Sequence, residues 1–210
     1  MSTLGSLDEI VRVVENATIG RRRTMVGIAG SPGSGKSTIA AALMERLRGG
    51  KHAVLLPMDG FHLPQSTLVQ LGRRERMGAP DTFDVDGFVD VLTAVRFTTE
   101  PVSVPGFDRA IEEPIPDALT VFPDSSVVVI EGNYLLHDAG GWERVLPLLD
   151  VSMFVDLPQD IRVERLITRH EEFGKSPAAA LAWSTGPDER NAELIEATAV
   201  RAGYRIRLEL

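Results

Sequence analysis

Eight residues constrain this chain more than any others: Gly30-Ser31-Pro32-Gly33-Ser34-Gly35-Lys36-Ser37. They fit the pattern G-x-x-x-x-G-K-[ST], and Thr38 follows directly. An apolar run, Met25 to Ala29, precedes them, and Ile39 to Leu47 has the composition of a helix. A strand entering such a turn and a helix leaving it is the context in which the pattern cradles phosphate. Glycines let successive backbone N–H groups converge on phosphate oxygens that side chains would obstruct. The helix N-terminus adds a partial positive charge. Lys36 places a full charge near the β- and γ-phosphates, and the Ser37 hydroxyl is a natural Mg²⁺ ligand. The loop predicts nucleoside triphosphate binding through Gly30, Ser31, Gly33, Ser34, Gly35, Lys36, Ser37 and Thr38. The alternative is a glycine-rich turn with a chance lysine. Neither reading specifies a reaction.

Elsewhere strands alternate with helices. Ser6 with Glu9 three residues on has the form of a capping box, and Leu7, Ile10, Val11 and Val14 recur at helical spacing, so a helix is expected over 6–18. Ala53 to Met58, Ser126 to Gly132 and Val151 to Leu157 read as buried strands. Tyr204 to Leu210 alternates and reads as a fifth strand, at the sheet edge. Residues 63–84, punctuated by Pro64, Gly72, Gly78 and Pro80, read as irregular. Asp86 can cap a helix carrying Phe88, Val91, Leu92 and Val95, and residues 98–124, rich in Pro and turn residues, read as a small insertion or hairpin. Ile161 to Phe173 and Pro177 to Trp183 read as helices, with Asn191 as the cap of another. Short apolar strands between helices imply a parallel sheet covered on both faces. At 210 residues, 43% of them hydrophobic, one α/β domain over 1–210 is expected.

The formal net charge is −8, so no long-range basic field draws nucleic acid or anionic lipid. Cysteine is absent, which excludes disulfides and thiolate metal sites. The N-terminus lacks a basic then apolar leader, and no apolar run approaches the ~18 residues needed to span a bilayer. A cytoplasmic protein is expected, with a small-molecule partner and neither nucleic acid nor membrane; a homodimer stays open.

A guanine reader, Asn-Lys-x-Asp, is missing around Asn16, Asn133 and Asn191, and Leu-Ser-Gly-Gly is missing altogether. What remains is a small-molecule kinase. Ligands of open α/β sheets bind beyond the carboxyl ends of the strands. Asp59 stands there after "VLLPM", so its carboxylate would face the γ-phosphate and accept a hydroxyl proton or contact Mg²⁺ through water. A phosphate acceptor attacks with an oxygen already anionic; an alcohol needs the base. A turn cap before Gly60 is the competing role for Asp59. Glu131 closes the run "VVVIEG", where a buried carboxylate requires a charged partner: a Mg²⁺–nucleotide complex or an arginine. Arg162, Arg165 and Arg169 share one helical face, with Val163, Leu166 and Ile167 on an adjacent inward face. They suit a mobile lid over the triphosphate, or a solvated face paired with Glu164, Glu171 and Glu172.

Together "GSPGSGKST", "PMDGFH", "RMGAPDTFD", "PGFDRAIEEP", "VVIEGNYLL" and the arginine helix resemble the uridine kinase, pantothenate kinase and phosphoribulokinase family. The nearest part of it is a bacterial nucleoside/nucleotide-kinase-like branch whose members are often named as fructose transport-associated kinases. The resemblance runs from about residue 22 to the C-terminus. It implies a P-loop NTPase fold: three layers, α/β/α, with five parallel strands in the order 2-3-1-4-5, an acceptor-side insertion at 98–124 and a helical lid at 160–187. It implies Asp59 as general base, Lys36 and Ser37 on ATP and Mg²⁺, and Glu131 near the metal or acceptor. Arg165 and Arg169 would lie at the phosphates and Asn191 toward the adenine. Acceptor-side candidates are Phe61, His62, Arg76, Phe107, Asp108, Arg109, Asn133 and Tyr134, beside Asp59 and Glu131. Phe61 and Phe107 could equally be core residues. Arg109 could read an acidic group on the acceptor or pair with Glu112 or Glu113. Uridine kinases usually carry Phe-Asp-His-Pro where Met77-Gly78-Ala79-Pro80 stands, and a histidine after the equivalent of Phe107-Asp108; this chain departs from them at both places. "RMGAPDTFD" is nearer the pantothenate kinase pattern, though the chain is short for that enzyme. The expected function is ATP-dependent phosphoryl transfer to a hydroxyl of a small polar metabolite. The alternative is an ATP-binding sensor that transfers little phosphate.

Overall fold

The computed structural model describes residues 2–47 and 52–208. Six parallel strands form the central sheet: β1 (Ser2–Leu4), β2 (Thr24–Gly30), β3 (Ala53–Pro57), β6 (Val127–Gly132), β7 (Val151–Val155) and β8 (Tyr204–Ile206). Their order across the sheet is β1-β8-β7-β2-β6-β3. The expectation of five strands is therefore corrected to six. Ser2–Leu4 pairs with β8 and takes the edge that the last strand was expected to occupy. Three residues are too few to show a hydrophobic period, which hid this strand from sequence reading. The expected last strand also extends over residues 209 and 210, which lie outside the described residues.

Side-chain alternation divides the sheet into two buried faces. Val127 and Val129 of β6 join Val26, Ile28 and Met153 on one face, beneath α1 (Leu7–Thr18) and α2 (Lys36–Leu47). Val128 and Ile130 join Met25, Ala29 and Phe154 on the other, beneath α4 (Val85–Phe97). Every residue of β2 and β6 is buried, which is why both read as continuous apolar runs. Arg23 is buried and donates to the carbonyls of Val95, Phe122, Pro123 and Ser125, a cation set against the last turn of α4.

Ser6 caps α1 as expected, accepting from Glu9 N at 3.3 Å. The cap of α4 is Asp84, which accepts from Gly87 N at 3.0 Å, rather than Asp86. Asp86 lies in the first turn and pairs with Arg144. The segment 63–84 is less irregular than expected, since α3 (Gln65–Gln70) forms inside it. Residues 98–124 contain an antiparallel hairpin of β4 (Val102–Asp108) and β5 (Glu113–Val121). Helices α5 (Gln159–Glu172), α6 (Pro177–Thr185) and α7 (Pro187–Glu196) follow β7. Asn191 sits inside α7, not at its cap.

The hairpin packs closely on the turn that follows β3. Met58–Phe61 forms a single turn of 3₁₀ helix directly after β3, and a Cβ on Gly60 would lie 2.2 Å from the Pro105 carbonyl oxygen. Only glycine allows that approach. Gly60→Ala should destabilise the protein by about 1–3 kcal/mol through overpacking. A lowered denaturant midpoint with unchanged m-value checks this; an unchanged midpoint contradicts it.

Candidate active site

Parallel pairing fixes where the site lies. Glu131 of β6 is in register with Ile28 of β2 and Pro57 of β3. The loop after β2 and the 3₁₀ turn after β3 therefore emerge on either side of Glu131. In the first, Gly33 (φ +81°) and Gly35 (φ +89°) adopt left-handed conformations. A Cβ on Gly33 would lie 2.8 Å from the carbonyl oxygen of Arg162, so α5 packs directly on the loop. Ser34 Oγ is buried without a partner, as expected of a group awaiting a ligand. Ser31 Oγ instead donates to Glu196 Oε1 at 3.2 Å, which turns that side chain toward α7.

Two hollows meet at Lys36 and Ser37. One, of about 430 Å³, is lined by Gly33 to Ile39, by Leu7, Ala42, Leu157 and Leu208, and by Arg165 and Arg169. The other, of about 750 Å³, brings Lys36 and Ser37 together with Asp59, His62, Glu131 and Arg169. Glu131 is 5% exposed, and its Oε2 accepts from Ser37 Oγ at 3.2 Å. Burial pushes the Glu131 carboxyl above the usual range against the pull of Lys36, and burial likewise lowers the Lys36 ammonium. Arg169 is lowered by burial and then by the like charge of Arg109.

Asp59 Oδ2 accepts from Arg109 Nη2 at 2.7 Å. Neither acid expected to hold Arg109 does so: Glu112 pairs with Arg74, and Glu113 accepts from Gln65 N. His62, Phe107 and Asn133 line the large cavity as expected, and the His62 and Phe107 rings stand 4.7 Å apart. Of the two roles open to Phe61 it takes the core one, packed edge-on against Phe88. Four other candidates lie away from their expected place. Arg76 turns to the surface in a two-point pair with Asp81. Asp108 caps the hairpin turn at Ala110 N (2.8 Å) instead of lining the cavity. Tyr134 is fully buried and donates to the carbonyl oxygen of Gly78, a cavity residue, at 2.6 Å without lining the cavity itself. Asn191 lines the larger cavity near Gly78 rather than the smaller hollow.

The arginine helix divides its labour. Arg162 is 1% exposed and pairs with Glu189, with Glu196 at 3.9 Å, so it belongs to the interior and not to the shared face. Arg165 and Arg169 have no carboxylate partner among the described residues, and Glu164, Glu171 and Glu172 do not pair with them. Sequence reading missed Arg74, His170, Lys175, Trp183 and Asp188, which also line the cavity. His170 and Asp188 meet at 2.8 Å. Nothing in the spacing of these residues shows that α7 folds back beside α5.

A parallel sheet with a glycine-rich phosphate loop at its edge, and a second cavity facing that loop's lysine, is the plan of a P-loop kinase. Comparison with known proteins agrees. The profile of the "Phosphoribulokinase / Uridine kinase family" matches residues 25–180. "Putative uridine kinase C227.14" of Schizosaccharomyces pombe (strain 972) is 31% identical over 175 residues, 80% of this chain and 74% of that protein. "Uncharacterized protein YggC" of Escherichia coli (strain K12) is 35% identical over 178 residues, 83% of this chain and 73% of that protein. The crystal structure of a "putative fructose transport system kinase" from Silicibacter sp. TM1040 superposes with a TM-score of 0.89 at 38% identity, covering 95% of this chain and 98% of that one. The chain belongs to the phosphoribulokinase / uridine kinase family, and it is an ATP-dependent kinase of small metabolites. No helix among the described residues is long and apolar enough to cross a membrane.

The Glu131 shift carries a stability consequence. Its folded-state carboxyl titrates above its unfolded value of 4.5, so the native state loses stability as pH rises through that window. Once ionised, the buried carboxylate is a burden on the ligand-free protein. Glu131→Gln should therefore raise Tm by a few degrees, on a scale of about 2–4 °C per kcal/mol. A Tm that falls would mean that Glu131 is a structural ion-pair partner of Lys36.

Proposed function

We propose that the chain transfers the γ-phosphoryl group of ATP to a hydroxyl of a small polar metabolite, with Asp59 as general base. The carrying observation is that Asp59, Lys36, Ser37 and Glu131 line one cavity on the acceptor side of the phosphate loop. A nucleotide sensor would need no such space.

The residues present fit a Mg²⁺–triphosphate. Gly33 and Gly35 hold the loop open, Ser34 Oγ waits unpartnered, and Ser37 and Glu131 offer a hydroxyl and a buried carboxylate to a hard cation. When bound, Mg²⁺ supplies charge neutralisation on the β- and γ-phosphate oxygens. Lys36 and the loop amides hold the same phosphates. Arg165 and Arg169, free of protein carboxylates among the described residues, approach from α5 and take up the negative charge of transfer.

Asp59 has one oxygen on Arg109 and the other, Oδ1, without a partner among the described residues. Arg109 thus fixes the carboxylate while Oδ1 receives the acceptor's proton. The acceptor oxygen bonds to the γ-phosphorus as the bond from that phosphorus to the β,γ-bridging oxygen breaks. A phosphate monoester and ADP are the products, and the proton rests on Asp59 until solvent takes it. Asp59→Asn should lower kcat about 10²–10⁴-fold while the ATP dissociation constant changes little. Turnover followed by coupled ADP release, with ATP affinity by calorimetry, checks this; equal losses in both would remove Asp59 from the base role.

A further inference from the structure

The unfilled hydrogen-bonding groups around Asp59 describe the acceptor. His62 Nδ1 stands 2.8 Å from the Asp59 carbonyl oxygen. A carbonyl only accepts, so Nδ1 carries the hydrogen. Burial lowers the His62 pKa, which keeps the ring neutral. Its other nitrogen, Nε2, is then a bare acceptor with no partner among the described residues, on a ring that lines the cavity. Asn133 Oδ1 is a second acceptor, buried and unpartnered, in the same wall. Asp59 Oδ1 is a third. Three acceptors without a protein donor, one of them fully buried, suit a ligand that donates several hydrogen bonds.

The cations tell the complementary story. Arg109 is committed to Asp59 at 2.7 Å, and Arg74 to Glu112 at 2.5 Å and to Gln65 at 3.1 Å. Lys36 and Arg169 line this cavity and the phosphate-loop hollow alike, and the kinase reading above gives both to the triphosphate. Of the cavity's remaining cations Lys175 has no carboxylate partner among the described residues, and its ammonium lies 5.2 Å from the centre of the Trp183 ring, on the loop after α5. With Lys36 and Arg169 taken by the triphosphate, no cation beside Asp59, among the described residues, is left to capture a carboxylate or phosphate on the acceptor. The Phe107 ring, set against His62, offers an apolar face of the kind that C–H groups of a sugar cover.

We propose that the acceptor is an uncharged polyhydroxyl compound, such as a monosaccharide or sugar alcohol, whose hydroxyls donate to His62 Nε2, Asn133 Oδ1 and Asp59 Oδ1. His62 and Asn133 are its specificity-determining residues. This rests on the kinase reading above and narrows its substrate class.

The test uses the whole chain with Mg²⁺ and two sets of probes. Fructose, ribose and ribitol form the uncharged set; ribose 5-phosphate, glycerate and pantothenate form the anionic set. ADP release under ATP and calorimetric binding under ADP are both measured. The expected result is turnover with at least one uncharged probe and none with the anionic set. His62→Phe keeps the ring stack and removes the Nε2 acceptor. It should raise KM for that probe about tenfold, the scale of one hydrogen bond, with kcat less affected. Asn133→Leu should do the same, which covers the case in which His62→Phe does not fold. Turnover confined to the anionic set overturns the substrate class and leaves the kinase reading standing. Binding of an uncharged probe without phosphorylation supports the substrate class and overturns the kinase reading. Absence of binding and turnover by all six probes overturns the inference, as does an unchanged KM in both variants.

Discussion

The pairing of β6 between β2 and β3 is the constraint on which the site depends. Val127 pairs with Thr24 on one side and Ala53 on the other, and the three strands stay in register to their carboxyl ends. A parallel ladder aligns strand ends, so the phosphate loop, Glu131 and the Asp59 turn leave the sheet at one edge. Slipping one strand by a single residue would invert its buried faces, and both faces are filled. The chemistry is thus set by core packing: the aliphatic residues that hide β6 also deliver a carboxylate to the edge of Lys36.

The second constraint lies between helices. Adjacent acids at the start of α7 reach back to two turns of α5, Glu189 to Arg162 and Asp188 to His170. Arg165 and Arg169 lie between these clamps. Gly33 packs against the backbone of Arg162, which joins the same helix to the loop. The arrangement leaves two guanidiniums of an acidic chain without a direct carboxylate pair among the described residues. Pre-positioned charge of this kind acts without reorganisation at the moment of transfer.

Much of the fold was legible because its strands are short, apolar and separated by glycine-marked turns. The phosphate loop, Glu131 and Asp59 were legible for a related reason: a polar residue that ends an apolar run adds nothing to packing, so chemistry is the natural reason for its place. The failures share a cause as well. Arg162 and Arg169 look alike in sequence, and only the fold-back of α7 makes one interior and leaves the other facing the cleft. Asp84 and Asp86 both suit a helix cap, and the choice turned on where Phe83 enters the core beside Tyr134 and Trp142. Arg76 and Arg74 are two residues apart on one turn, so local pattern did not show that Arg74 faces the cavity while Arg76 binds Asp81.

One spatial relation decides the mechanism: the acceptor's hydroxyl lies between the Asp59 carboxylate and the outermost phosphate. A crystal structure of the chain with Mg²⁺, a non-hydrolysable ATP analogue and its acceptor measures this directly. Asp59 Oδ1 should stand within about 2.6–3.2 Å of an acceptor hydroxyl that lies in line with the γ-phosphorus. An Asp59 carboxylate with both oxygens on Arg109, and an acceptor hydroxyl out of its reach, would contradict it.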